Sequence, residues 1–226
     1  MVSGGSSTTG AEVAIRLAEL GMDVAILDPA AEACAGVVGR IEDRGGRAMA
    51  IAADAADRGA VESALARVTS AWCEPSVLVN AVDATGGERL CDMSDARWEA
   101  ATVRPLRGVF AASRLLADSM SEAGWGRVVT IAPPLADGAE HSTLRAGLEG
   151  FTRTIALELE AFGVTANLIA PRRPQVGLHS GGASDELPGG AARYARAVAD
   201  AVSALLGAAA AAVTGQIVYV GADATD

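Results

Sequence analysis

Short runs of β-branched and other apolar residues alternate along the chain with longer stretches in which apolar residues recur every three to four positions. The short runs are typical of buried strands, and the longer stretches are typical of amphipathic helices. Their alternation predicts an α/β protein with a doubly wound parallel sheet and helices on both faces. The predicted strands comprise residues 24–27, 48–52, 77–79, 128–131, 164–169 and 217–220.

Six helices are predicted between these strands, over residues 10–20, 30–44, 59–72, 95–123, 145–162 and 191–206. Four of them are followed or ended by a glycine, which is the residue that most readily adopts the left-handed conformation of a helix C-terminus. These glycines are Gly21, Gly45, Gly124 and Gly163.

The domain organisation is predicted to be simple. No linker divides the chain, so residues 1–226 are expected to form a single domain. The one shift in composition is the Gly- and Pro-rich segment 171–190, which we interpret as a mobile substrate-loop region inside that domain. The first glycine of the N-terminal loop is residue 4, so the first, central strand is expected to be truncated or missing, leaving two buried strand edges unpaired.

Charge and residue usage exclude several classes of function. The net charge is −10, and all 18 basic residues are arginine. Lysine-dependent covalent chemistry is therefore excluded, and neither nucleic acid nor an anionic membrane is an expected partner. The three cysteines form no CxxC pair and no metal site, and the longest apolar run is too short to span a bilayer. We expect a cytoplasmic protein with reduced thiols and no bound metal.

The N-terminal segment has the layout of a dinucleotide-binding unit. Gly4 and Gly10 lie in a glycine-rich loop that leads into an amphipathic helix and then into a strand ending at Asp28, 18 residues after Gly10. Glycines allow the backbone to approach a pyrophosphate at a helix N-terminus, and an acidic residue ending the second strand can accept a hydrogen bond from the ribose.

In this layout, and in motifs along almost the whole chain, the sequence resembles the short-chain dehydrogenase/reductase family. The segment from Ser3 to Gly10 resembles the family's TGxxxGxG loop, and Leu78-Val79-Asn80-Ala81 resembles the start of its NNAG motif. Later segments that resemble the family are residues 126–131, 146–153, 156–159, 164–171 and 214–220. The resemblance implies a Rossmann-like fold, oxidoreductase chemistry and a nicotinamide cofactor held by Gly4, Ser6, Gly10, Asp28, Asp54 and Asn80, with Asp28 favouring NAD(H) over NADP(H).

The sequence departs from the family at the four catalytic positions. Aligning the flanking residues places His141 at the tyrosine, Arg145 at the lysine, Pro133 at the serine and Pro105 at the asparagine. Proline has neither a hydroxyl nor an amide side chain, so two of the four roles are lost. The only two tyrosines lie in the last predicted helix and the last strand, too far along the chain to be realigned into the site.

The predicted cofactor loop also departs from the family. Thr8 replaces the second glycine, and Thr9 and Glu12 have the spacing of a capping box. Such a box would put a carboxylate at the helix end where pyrophosphate binds, which makes cofactor binding doubtful. Asp28 and Asp54 also have structural interpretations, as a turn residue and a helix N-cap.

His141 and Arg145 are four residues apart and would share one face of a helix. They could form a relay in which His141 is the general acid or base and Arg145 binds an anion. Alternatively, both are solvated replacements at a site that no longer carries out chemistry.

Three hypotheses on function follow. The first is a non-catalytic pseudo-oxidoreductase subunit that forms an oligomer with itself or with an active relative, through the helices of residues 95–123 and 145–162. The second is an atypical NAD-dependent oxidoreductase, or a non-redox lyase or isomerase, acting on a small carbonyl or acyl substrate through His141 and Arg145. The third, motivated by the short first strand, is a gene product that does not fold stably.

Overall fold

The computed structural model describes residues 1–83, 88–133, 138–171 and 190–221. Their strands form one parallel, seven-stranded sheet in the order β3-β2-β1-β4-β5-β6-β7. The predicted Rossmann-like, doubly wound sheet is therefore confirmed. The strands are β1 Val2–Ser3, β2 Val24–Asp28, β3 Ala48–Ala52, β4 Val77–Ala81, β5 Gly126–Ile131, β6 Val164–Pro171 and β7 Ile217–Val220.

Six of the seven α-helices in the described residues cover the two faces of this sheet, and the short α4 has no buried residue. Buried side chains of α1, α2 and α7 pack on one face, and those of α3, α5 and α6 pack on the other. Successive residues of a strand alternate between the faces, as Ile26 and Leu27 do in β2. The helices are α1 Thr8–Glu19, α2 Ala35–Glu42, α3 Arg58–Ala71, α4 Asp95–Trp98, α5 Arg104–Glu122, α6 Ala139–Leu159 and α7 Gly190–Leu206.

The first strand is truncated, as expected, but it is not missing. β1 has only two residues, yet it lies at the centre of the sheet and pairs with both β2 and β4. Flanking backbone bonds extend the pairing, because Gly4 N donates to Leu27 O at 2.9 Å and Val79 N donates to Met1 O at 2.9 Å. The expectation of two unpaired buried edges was therefore wrong along Met1 to Gly4.

The predicted helix over residues 95–123 is not one α-helix. α4 continues into a π-helical stretch, Glu99–Val103, and only then into α5. Pro105 lies in the first turn of α5 and has no N–H to donate to the preceding turn, which interrupts the regular ladder.

The glycines predicted as helix ends adopt the expected conformation. Gly21, Gly45, Gly124 and Gly163 all have φ between 66° and 83°. The predicted helix starts were less accurate, since α6 begins at Ala139, six residues before the predicted start. The segment 171–190 lies outside the described residues except at its two ends. Among the helices that are described, none is both long and apolar enough to cross a membrane.

Two glycines separate backbone strain from steric clash and give the first testable prediction. Gly21 and Gly163 both have positive φ, but a Cβ on Gly21 would meet no atom within 4 Å, whereas a Cβ on Gly163 would lie 2.3 Å from Gly124 O. We expect Gly21→Ala to lower the free energy of unfolding by about 1–2 kcal/mol. Gly163→Ala should lower it by a further ~1–3 kcal/mol, because the backbone must shift to relieve the clash.

Urea unfolding of the two variants beside the wild type measures this difference. Equal losses of unfolding free energy in the two variants would mean that the junction between α6 and β6 relaxes around the methyl group of Gly163→Ala at no energetic cost.

Candidate functional site

A cleft of about 350 Å³ opens at the carboxyl ends of β1, β2 and β4, where the strand order runs outward in both directions from β1. Ligands of doubly wound sheets bind at such a switch point, and the volume suits a small molecule. Residues from the β1–α1 loop, from the ends of β2 and β4, from the loop after β3 and from α5 line the cleft; among them are Ser3, Gly4, Ser6, Ser7, Asp28, Asp54, Asp83, Arg104 and Gly108.

The floor of the cleft depends on two glycines that accept close backbone contacts. A Cβ on Gly4 would lie 2.2 Å from Ala81 O, at the end of β4. A Cβ on Gly10 would lie 2.2 Å from Gly4 O, so the start of α1 packs directly on the loop. At both positions a side chain would clash with the backbone, which explains why glycine is needed there. Gly4 itself lines the cleft, and Gly10 packs against Gly4 behind it.

The cap of α1 differs from the predicted capping box. Ser7 is the N-cap: its hydroxyl accepts from Gly10 N at 3.0 Å and donates to Gly4 O at 2.9 Å. Glu12 instead lies 3.8 Å from Arg40 and 4.0 Å from Arg196. The prediction that the Glu12 carboxylate occupies the helix end was therefore wrong, because arginines from two other helices attract it away.

Asp28 lies at the end of β2 with only 4% of its surface exposed. One carboxylate oxygen accepts from Ser6 N and the other from Ala30 N, each at 2.9 Å. The bond to Ala30 is the interaction expected of Asp28 as a turn residue. The bond to Ser6 connects the glycine loop with β2. Burial raises the pKa of the nearby Cys34 thiol, and the negative charge of Asp28 raises it further.

Asp54 follows β3 and forms an ion pair with Arg104, the first residue of α5. Its second oxygen accepts from Ala56 N at 3.0 Å. The interpretation of Asp54 as a helix N-cap was wrong, because Asp57 caps α3 by accepting from Gly59 N and Ala60 N. The carboxylate that the resemblance assigns to cofactor binding is thus already engaged by the protein.

Asn80 lies within the sheet next to the cleft and does not line it. It is buried in β4, and its Oδ1 accepts from the Ser3 hydroxyl at 3.3 Å. The exposed carboxylate of Asp83, two residues past the end of β4, does line the cleft. Three carboxylates therefore face one arginine there, which disfavours a polyanionic ligand.

His141 lies in the first turn of α6 with 4% of its surface exposed. Within the described residues, neither ring nitrogen has a hydrogen-bond partner. The interpretation of His141 as a solvated side chain was therefore wrong. A proton relay needs a donor or acceptor within hydrogen-bond reach, and the described residues provide none.

Arg145 lies one turn further along α6 and its side chain is 11% exposed. Its Nε donates to Glu149 Oε1 at 3.2 Å and one terminal nitrogen lies 3.5 Å from Pro171 O. The guanidinium carbon sits 5.4 Å from the centre of the Tyr219 ring. Arg145 is therefore largely shielded from solvent and engaged by other groups, not solvated.

Arg145 also lies close to Tyr194 and Tyr219, which the sequence analysis had excluded from the site. Burial raises the pKa of Tyr194 to about 12, although the positive charge of Arg145 opposes the shift. The Tyr194 hydroxyl has no hydrogen-bond partner among the described residues. Both tyrosines of the chain thus lie near Arg145, reached through the fold from α7 and β7 rather than by sequence alignment.

A nicotinamide dinucleotide fits the described residues at one end only. Asp28 stands where the adenosine ribose would lie, and backbone groups of Gly4 and Ser6 border the cleft. The Asp83 carboxylate lines the same cleft and would repel a pyrophosphate there, and the nicotinamide ribose would find Arg145 bound to other groups. The residues present therefore do not fit the dinucleotide as a whole.

Arg104 and Asp83 are the cleft residues that sequence analysis did not assign a role. Arg104 directly precedes Pro105 and carried no motif of its own, because its partner Asp54 lies 50 residues away. Within the residues that the structure describes, no three His, Cys, Asp or Glu side chains come close enough to hold a metal ion.

The buried imidazole of His141 gives the second prediction. Burying two ring nitrogens without partners costs free energy, and an apolar residue of similar size removes that cost. We expect His141→Leu to leave the free energy of unfolding unchanged or to raise it by about 1 kcal/mol. The buried neighbour Leu144 provides the control, since Leu144→Ala should lose about 2–5 kcal/mol in the same helix turn.

A loss of more than about 2 kcal/mol in His141→Leu would contradict this expectation and would show that the ring nitrogens have partners.

The environment of Tyr194 gives the third prediction. With the pKa raised to about 12 in the folded protein and near 10 when unfolded, the folded state binds the phenolic proton more tightly. The stabilisation is complete below pH 10 and is lost as the pH rises through 12. In a Tyr219→Phe variant, absorbance at 295 nm should report ionisation of the single tyrosine near pH 12, and near pH 10 in denaturant.

A midpoint near 10 in the folded variant would show that the Tyr194 hydroxyl is open to water.

Comparisons with known proteins agree with this fold. A sequence model described as short chain dehydrogenase matches residues 1–177. The short-chain dehydrogenase/reductase family member NovK of Streptomyces niveus is 35% identical, over 99% of this chain and 95% of its own length. The short-chain reductase protein NovJ of the same organism is 34% identical, over 76% of this chain and 67% of its own.

A third relative is BbsD of Thauera aromatica, a subunit of (2S)-[(R)-hydroxy(phenyl)methyl]succinyl-CoA dehydrogenase. It is 31% identical over 83% of this chain and 75% of its own length. The family model covers most of the chain, including the glycine loop, the cleft and helix α6, and one relative spans nearly all of it. The protein therefore belongs to the short-chain dehydrogenase/reductase family and is oxidoreductase-like in its fold.

Proposed function

We propose that this protein is a non-catalytic subunit of the short-chain dehydrogenase/reductase family, which supports an oligomer formed with itself or with an active dehydrogenase or reductase. The observation that carries the proposal is the position of Arg145. It occupies the place of the family's lysine, yet its guanidinium is held by Glu149, Pro171 O and the Tyr219 ring. A group held in this way is not available to bind a cofactor ribose or to lower the pKa of a proton donor.

The neighbouring catalytic positions support the same proposal. Pro133 and Pro105 have no side-chain donor with which to polarise a carbonyl or order a water molecule. His141 is buried and lacks a partner among the described residues, so no proton path leads to it there. Four roles that act together in the family are thus each compromised in this chain.

An apolar surface is present where an oligomer contact is expected. We call it the α5–α6 face; it comprises Val103, Leu106, Phe110 and Phe151, which border an open groove of about 620 Å³. Phe110 is 53% exposed, and its ring meets Phe151 edge-on with 6.4 Å between centroids. Two aromatic rings beside the exposed Val103 and the half-buried Leu106 form the kind of patch that proteins bury against a partner.

The relatives offer a precedent for assembly from more than one chain of this family. BbsD and BbsC of Thauera aromatica, 31% and 32% identical to this chain, are both named as subunits of one dehydrogenase. The same arrangement, a supporting chain beside an active one, is the one we propose for this protein. We further propose that it works in the cytoplasm, and that NAD(H), and not NADP(H), is the dinucleotide that Asp28 would tolerate, because its carboxylate repels a 2′-phosphate.

Native mass spectrometry of the protein purified from its own host tests the proposal, because one spectrum reports subunit composition and any retained cofactor. We expect an oligomer in which this chain carries no dinucleotide. Phe110→Arg should dissociate that oligomer, because it places a charge in the α5–α6 face. Leu20→Arg is the matched control: Leu20 is equally exposed but lies at the end of α1.

Two outcomes would overturn the proposal. A monomer at micromolar concentration would remove the supporting role. Reductase, lyase or isomerase activity of the isolated chain that is abolished by His141→Ala would instead establish an atypical enzyme that acts through His141 and Arg145. A cooperative unfolding transition in the same preparation would exclude a chain that does not fold stably.

A further inference from the structure

The groove in the α5–α6 face carries charge as well as apolar side chains. Two arginines, Arg58 and Arg107, line it, and among the described residues that line it there is no carboxylate. Arg58 is ion-paired with Glu62 at 2.7 Å. The exposed side chain of Arg107 makes no hydrogen bond or ion pair within the described part of the chain. The groove is therefore apolar with an excess of positive charge at its border, in a chain whose net charge is −10.

The exposed side of α5 has a regular order of charged and apolar side chains. It consists of Val103, Arg107, Phe110 and Arg114, which follow one another at intervals of three or four residues and so lie on one side of the helix. All four are exposed, with 53% for Phe110. Arg107 and Arg114 are two helical turns apart, a distance of about 10 Å along the axis, and the Phe110 ring lies between them.

This order of charges disfavours a contact between two copies of the chain. Identical subunits meet about a two-fold axis, so the same surface is present on both sides. With the two α5 helices antiparallel and their Phe110 rings at the axis, Arg107 of each copy lies opposite Arg114 of the other. Asp118 offsets the charge of Arg114, which it contacts at 2.8 Å, but no carboxylate offsets that of Arg107 in the described residues. Facing like charges therefore oppose self-association.

We infer that the partner at the α5–α6 face is a different chain, whose contacting helix presents an apolar side chain between two carboxylates. The carboxylates lie two helical turns apart and pair with Arg107 and Arg114. The apolar side chain enters the groove beside Phe110 and Phe151. This partner belongs to the oligomer of the proposed function, on which the inference rests, and makes that oligomer a hetero-oligomer.

Charge reversal tests the inference without the natural partner. The variant Arg107→Glu/Arg114→Glu keeps Phe110 and replaces both cations with a good helix former, so that it imitates the acidic partner. Expressed without the natural partner, the wild type alone and the variant alone should each be monomeric at micromolar concentration. An equimolar mixture should form a one-to-one dimer at least about tenfold tighter than either self-association, because unlike charges then face each other.

Native mass spectrometry with one of the two chains isotope-labelled separates the mixed dimer from the self-associated species. Sodium chloride at about 0.5 M should abolish the preference for the mixed dimer, because salt screens exposed charges. Replacing the wild type in the mixture with Phe110→Arg should prevent the dimer, which would locate the contact at the α5–α6 face.

Arg67→Glu/Arg193→Glu is the matched control. It changes the net charge by the same amount at two exposed arginines, which lie on α3 and α7 outside the α5–α6 face. Mixed with the wild type, this variant should form no dimer. Thermal unfolding of both double variants checks that they fold.

The same variants in the natural host distinguish this inference from the proposed function. Arg107→Glu/Arg114→Glu in place of the wild type should remove the second chain from the native mass spectrum, and Arg67→Glu/Arg193→Glu should retain it. An oligomer that contains only copies of this chain would overturn the inference and leave the proposed function intact. A monomer in the wild-type host preparation would instead overturn the proposed function.

Three further results would overturn the inference. A mixture that dimerises no more tightly than the wild type alone would show that charge does not select the partner. A wild-type dimer at micromolar concentration that Phe110→Arg dissociates would show that two copies meet on this face despite their like charges. Retention of the second chain by both double variants in the host would show that it binds elsewhere on the molecule.

Discussion

The backbone pairing of β1 is the constraint on which the rest of the structure depends. In an extended strand the N–H and C=O of one residue point to the same side, and those of the next point to the other side. Gly4 N accordingly donates towards β2, while Met1 O accepts from β4. A handful of backbone bonds around Val2–Ser3 therefore connects β2 and β3 with the four strands from β4 to β7. The complete burial of Val2 adds apolar contacts that such short pairing needs.

The cleft is a direct result of this arrangement. Because β1 ends at Ser3, the loop from Gly4 to Ser7 lies at the carboxyl end of β1, where it lines the cleft. Its polar groups are largely satisfied within the protein: Ser7 caps α1, and Ser6 N binds Asp28. A site whose polar groups are already paired is rigid and has fewer partners to offer a ligand. The framework of the family is thus retained while its capacity to hold a large anionic cofactor is reduced.

The sequence predicts local features well and distant pairings poorly. Strands β3 and β7 were predicted with their observed bounds, and four helix-ending glycines with their conformation, because these signals arise from neighbouring residues. Glu12 was misassigned because Arg40 and Arg196 reach it from α2 and α7. The link between Asp54 and Arg104, and the approach of Tyr219 to Arg145, join residues tens of positions apart. No periodicity or spacing in a single sequence encodes such contacts.

The π-helical stretch at Glu99–Val103 affects how this part of the chain tolerates changes in length. A π-turn accommodates one residue more than an α-turn, and each residue of an α-helix advances the direction of the side chains by about 100°. The stretch therefore holds one residue more than a continuous α-helix with the same rotation between its ends. Loss of one residue there would restore a continuous α-helix and leave Trp98, Arg104 and Phe110 pointing in their present directions about the axis. Other helices tolerate the gain or loss of a residue only in the adjoining loops. Here such a change is accommodated within the helix itself.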